Sequence, residues 1–225
     1  GNITTGSSNT CVGQKAGTSL TTQSGNVILG KSAGANVASA SGTWIGQGAG
    51  EFATTSGGDT VAIGRTAALY LTGSASSNTF VGTAAGAGTV GANNTGSNNV
   101  GVGHSALLVN TSGTQNAALG FQAGKNITSG SGNLCFGYQA GLGQTTGGNN
   151  VYIGAQSGSS HTGARCIFIG VNAGNSVPTS SQNIFVAGGT SNERIDQVFF
   201  GKGYTDASPT AYTINGTGGS GTDIA

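Results

Sequence analysis

The chain has 225 residues, 45 of them glycine, with only seven Lys or Arg and six Asp or Glu and a formal net charge of +1. So few charges leave no basic face to hold nucleic acid or an anionic membrane, and no run approaches the roughly 18 apolar residues of a membrane helix. The composition is not that of a disordered chain either, because disorder goes with high net charge and few β-branched residues, whereas Val, Ile and Thr recur here at fixed places.

The recurrence is a nine-residue pattern, Asn-x-x-aliphatic-Gly-x-x-Ala-Gly, seen whole in Asn133 to Gly141. Its anchor glycines are Gly13, Gly30, Gly46, Gly64, Gly82, Gly103, Gly120, Gly137, Gly154 and Gly170, with decayed copies at Ala187 and Gly201. A fixed period this short means one supersecondary unit per repeat stacked on its neighbours. The spacing predicts an all-β fold, a parallel β-solenoid (β-roll) of about eleven to twelve coils with a period near 17 residues over 1–190. Residues 191–225 hold six of the charges and Pro209. They read as a degenerate last coil and a transition to a following module. With Gly1 in place of an initiating Met, the sequence reads as a piece of a longer chain.

Each coil opens on a strand. The residue before the anchor (Val12, Leu29, Ile45, Ile63, Val81, Val102, Leu119, Phe136, Ile153, Ile169) and the residue two earlier (such as Val27, Val61, Val100, Leu134 and Val151) share a face, because strand side chains alternate with period two. That pair is expected to fill the coil. The residue between them points the other way, and it is mostly apolar and often aromatic: Ile28, Trp44, Phe80, Cys135, Tyr152 and Phe168. An outward stripe of that kind is expected at an interface, either a seam between copies of this chain or a cover supplied by a longer loop. After the anchor come a small residue for a tight corner (Ala33, Ala67, Ala140) and a glycine suited to positive φ (Gly34, Gly50, Gly141). A shorter second strand is expected next, carrying one apolar residue, as at Leu20, Val37, Leu71, Ile127 and Val177.

Eight residues after the anchor stand Thr21, Thr54, Thr72, Thr111, Thr128, Thr145 and Thr162. Stacked threonines on a solenoid face suit ice or a polysaccharide; the competing reading is that each hydroxyl bonds the local backbone to close a turn. The three cysteines, Cys11, Cys135 and Cys166, have no metal-ligand spacing and are read as small buried or interfacial residues.

Chemistry-bearing motifs dissolve on inspection. Gly25 to Ser32 matches a phosphate-binding loop letter for letter, yet its four central residues are the strand itself and no helix N-terminus follows to receive a phosphate. Gly30 to Gly34 matches a nucleophile elbow, but a serine needs a positioned base, and His104 and His161 sit on turns several coils away. Glu51 and Asp59 are the only acids of the roll, which leaves no carboxylate pair for glycoside hydrolysis. No catalytic residue, metal site or cofactor is expected.

The core Asn-x-Val-x-Ile-Gly, as in Asn150 to Gly154 and Asn26 to Gly30, resembles the head repeats of trimeric autotransporter adhesins of the YadA type, over roughly residues 9–190. The resemblance implies a left-handed roll, a homotrimer packed side by side, and surface attachment through a glycan or protein receptor. The Asn-Thr-x-x-Gly-x-x-Ala-Gly variant and the stretch from Tyr204 to Ile224 look more like bacteriophage tail fibres, which implies a virion fibre segment with no membrane insertion of its own. The alternatives are a bacterial cell-surface adhesin head and a monomeric ice- or glycan-binding solenoid that uses the Thr ladder.

Overall fold

The computed structural model describes residues 4–186 apart from 55–57, 92–93, 176–178, 180 and 183. The expectations for Val177, Ala187, Gly201 and 191–225 lie outside those residues. Eleven three-residue strands follow one another: β1 (Thr10–Val12), β2 (Val27–Leu29), β3 (Thr43–Ile45), β4 (Val61–Ile63), β5 (Thr79–Val81), β6 (Val100–Val102), β7 (Ala117–Leu119), β8 (Leu134–Phe136), β9 (Val151–Ile153), β10 (Ile167–Ile169) and β11 (Ile184–Val186). They pair in sequence order as one parallel sheet, each in register with the next, as in Leu134 with Val151, Cys135 with Tyr152 and Phe136 with Ile153. The chain is therefore an all-β solenoid with a period near 17 residues, and no helix occurs among the described residues. Ten inter-strand steps at about 4.8 Å give a stack roughly 48 Å long.

The expected second strand is absent among the described residues. After each anchor the chain runs through turns, and outside the named strands only isolated bridge residues occur among the described residues, as in Leu71 with Asn94. The turns are nonetheless laddered like the strands: Gly34 N–H donates to Ala49 C=O at 2.8 Å and Gly50 N–H to Ala67 C=O at 2.9 Å. Backbone groups that a strand would have paired find their partners one coil along.

The anchor glycine is required twice over. Its φ lies between 122° and 138° in every coil from Gly13 to Gly170, a region where L side chains are strained. A Cβ on Gly137 would also stand 2.6 Å from the carbonyl oxygen of Gly154. Three residues on, the alanine closes the corner by donating to the anchor carbonyl, as Ala140 does to Gly137 at 3.3 Å, and its methyl is buried.

The facing of the strands is the reverse of the expectation. Ile28, Trp44, Phe80, Cys135, Tyr152 and Phe168 are fully buried within one chain, and the flanking pair points out: Leu134 is 39% exposed, Phe136 49% and Leu119 45%. The reason is the asparagine four residues before the anchor. Asn133 is buried, and with period-two alternation a residue two places along shares its face. Cys135 therefore goes inside and Leu134 and Phe136 go out. The seam predicted through Ile28, Trp44, Phe80, Cys135, Tyr152 and Phe168 cannot be built from those residues, because they already fill the coil.

One strand residue per coil must then fill the interior, together with the corner alanine and the residue seven after the anchor: Leu20, Val37, Leu71 and Ile127 are all fully buried. Where the strand supplies an aromatic, the fourth residue after the anchor is glycine, and a Cβ on Gly86 or Gly158 would run into the ring of Phe80 or Tyr152. Where the strand supplies Ala62 or Gly101, that position carries Ala68 or Leu107, both buried. Ala68 and Leu107 hold φ of 50° and 51°, so the backbone keeps the same turn and only the volume changes sides.

Candidate functional site

A column of buried asparagines runs up the interior edge of the sheet. Asn133 shows the arrangement: its Oδ1 accepts from the backbone N–H of Asn150 at 3.1 Å and from Asn150 Nδ2 at 3.0 Å. Its own Nδ2 donates to Asn116 Oδ1 and to Gly147 C=O, each at 3.1 Å. Asn99 and Asn116 repeat the pattern toward Gly113 and Gly130 at 2.9 Å. Each rung thus satisfies a backbone donor and a backbone carbonyl that no strand reaches. The sequence displays these asparagines openly in the repeat, yet nothing in their spacing says that they bond one another.

At the level of β9 the seven-after-anchor column turns polar. Gln144 Oε1 accepts from the backbone N–H groups of Thr145 at 2.9 Å and Gly147 at 2.8 Å, which fixes its amide orientation. Its Nε2 donates to Tyr152 Oη at 2.9 Å. Tyr152 Oη lies 2.7 Å from His161 Nδ1, so the hydroxyl links the glutamine amide to the imidazole. His161 is fully buried, 4.7 Å from the Phe168 ring in an edge contact, so it is an interior group rather than a solvated turn residue. Burial pushes the Tyr152 hydroxyl well above its ordinary range. Closed off from solvent and internally bonded, the three groups rigidify the core.

Cys135 is buried, and desolvation raises its thiol to about 12. Cys166 is buried too, with its Sγ 3.5 Å from Ala164 C=O. Cys11, read as buried or interfacial, is exposed in the single chain, because among the described residues only the coil of Ile28 packs on it. A thiol reagent at neutral pH is therefore expected to label one cysteine per native chain and three after denaturation. The sign for Cys135 follows from the raised value: its contribution to stability is intact below the unfolded thiol's pKa near 9 and is lost as pH climbs through about 12. Alkaline unfolding starting above about pH 9, followed by circular dichroism, checks it.

The motif matches resolve as the repeat's corner. Gly30 N–H donates to Val12 C=O and Ser32 N–H to Gln14 C=O, both at 2.8 Å. Those donors are spent on carbonyls of the previous coil and cannot cradle a phosphate. Lys31 is exposed. Among the described residues no cluster of three metal-ligating side chains occurs, and no helix is long and apolar enough to cross a membrane.

Of the Thr column, Thr21, Thr54 and Thr162 are exposed and Thr72, Thr111, Thr128 and Thr145 half-buried. The Thr111 hydroxyl donates to Thr128 C=O and the Thr128 hydroxyl to Thr145 C=O, each at 3.1 Å. The bonds cross to the next coil instead of closing a local turn, and they spend the hydroxyl proton inside the protein. The outer face of the sheet is apolar: Val100, Leu119, Leu134, Phe136 and Ile169 are all exposed. Beside it His104, Phe121 and Tyr138 form a stacked row, with ring centroids 5.2 and 5.4 Å apart.

Compared with protein-family models, with curated protein sequences and with solved structures, the chain matches none.

Proposed function

We propose that this solenoid is a non-catalytic segment of a homotrimeric fibre, of the kind found in bacteriophage tail fibres, that contributes to attachment at a host surface. The observation that carries it is the outer face of the sheet. In every strand from β1 to β11 the residue just before the anchor is Val, Leu, Ile or Phe and is half-buried or exposed. The other flanking position is Thr at Thr10, Thr43 and Thr79 and Ala at Ala117; a run of apolar side chains along a surface marks an interface. The stripe runs parallel to the stack, so copies aligned side by side can close it along the whole length. Threefold rotation about an axis parallel to the stack does this by packing one flank of the stripe against the opposite flank of the next chain in a closed ring, and the resemblance of the repeat supplies the number three.

Leu119→Lys combined with Phe136→Lys tests the reading. Both side chains stand on the outer face, so the variant is expected to keep the circular dichroism of the parent and to sediment as a monomer. An unchanged oligomer would remove this face from the seam. The ice- or glycan-binding alternative on the Thr column is less favoured, because the hydroxyls of Thr111 and Thr128 already donate to backbone carbonyls.

A further inference from the structure

The asparagine column is interrupted at Cys166 and, earlier in the chain, at two successive levels, Gly42 and Thr60. Asn26 Oδ1 still accepts from Gly42 N–H at 2.9 Å, and Thr43 N–H donates to Thr60 C=O at 2.8 Å, so the backbone column runs on without its side chains. At this level lie the buried side-chain polar atoms that have no hydrogen-bond partner among the described residues: Ser39 Oγ, Trp44 Nε1 and Thr60 Oγ1. Trp44 is fully buried, Thr60 is 1% exposed and Ser39 2%.

Ser39 and Trp44 belong to the coil of β3, and Thr60 holds the rung position of the next coil. A Cβ on Gly42 would run into Trp44 Nε1 and come 3.2 Å from Asn26 Oδ1. The indole nitrogen therefore stands in the space beside Gly42 that an asparagine side chain takes in other coils, and Thr60 holds the equivalent rung position in the next coil. Ser39 is seven residues before its anchor, the place whose carbonyl closes a rung elsewhere, as Gly130 and Gly147 do for Asn116 and Asn133. Asn26 Nδ2 turns instead to Asn9 Oδ1 at 3.1 Å and Ser24 C=O at 3.4 Å.

We propose that this break in the column is an internal hydration site, where a bound water replaces the missing asparagine rung. The indole N–H can only donate and each hydroxyl can donate once and accept. A water that accepts from Trp44 and donates to Ser39 and Thr60 satisfies all three, and about three bonds is what a buried water makes. The three groups are neutral and mix donors with acceptors, which suits water rather than an ion of either sign. Leaving three such groups unbonded in a closed core would be costly.

Trp44 is the sole tryptophan of the chain, so its fluorescence reports this site alone. A crystal structure of the whole chain at a resolution that shows ordered solvent should place a water within hydrogen-bonding distance of Trp44 Nε1, Ser39 Oγ and Thr60 Oγ1. Thr60→Asn should restore the rung, expel the water and shift the indole emission to shorter wavelength, while Thr60→Ser should keep both water and emission. Direct bonds among the three side chains, or an unchanged water in Thr60→Asn, would overturn the proposal. Should Thr60→Asn fail to fold, the parent structure and Thr60→Ser still decide it.

Discussion

Gly137→Ala is expected to destabilise the chain by about 3–5 kcal/mol, the sum of backbone strain and overpacking. The residue holds φ at 138°, and the added methyl would meet the Gly154 carbonyl oxygen at 2.6 Å and its carbon at 2.7 Å. Neither contact involves a side chain that could move aside. The whole next coil would have to rise, breaking the register of β8 against β9. Gly91→Ala separates the two causes: its φ is 79°, with nothing within 4 Å of the new methyl, so only the backbone cost of about 1 kcal/mol applies. Urea unfolding of both variants beside the parent measures the difference, and equal losses would mean that the close approach of coils carries no energy.

Asn133→Ala removes a rung from the interior column and is expected to cost roughly 3 kcal/mol or more. Asn133 has four side-chain bonds, to Asn116, Gly147 and both donors of Asn150. Truncation strands the Asn150 N–H and the Gly147 carbonyl in a closed core, and the penalty is that of burying them unpaired. The exposed Ser129 supplies the comparison, since Ser129→Ala should stay within about 0.5 kcal/mol of the parent. A loss below 1 kcal/mol for Asn133→Ala in the same urea experiment would mean that solvent reaches the rung. In a stacked array such a defect is felt first by its neighbours, so hydrogen exchange should rise in the coils of β8 and β9 before the rest.

The period, the parallel stacking and the corner were legible because they depend on spacing and on residues with one conformational use. Gly137 and Ala140 announce a turn wherever they stand. The facing of the strands was not legible from apolarity, since Leu134, Cys135 and Phe136 are all apolar and alternation alone cannot rank two apolar faces. The deciding residue was Asn133, polar yet interior, whose parity settles where Cys135 goes. The exchange of bulk between Phe80 with Gly86 and Gly101 with Leu107 was also written in the repeat, but it acquires meaning only once both positions are known to point inside. Gln122, Gln139 and Gln156 hold φ of 53° to 56°, and nothing in a glutamine signals a left-handed backbone. The Tyr152, Gln144 and His161 cluster joins residues from two coils, which a one-dimensional reading places on separate turns.

The proposed trimer would cover the apolar outer face of the sheet along the stack. Sedimentation equilibrium of the unaltered chain addresses it most directly. A trimer gives a mass three times the 21.6 kDa of one chain, unchanged on dilution through the micromolar range; a stable monomer that stays in solution would contradict the proposed seam.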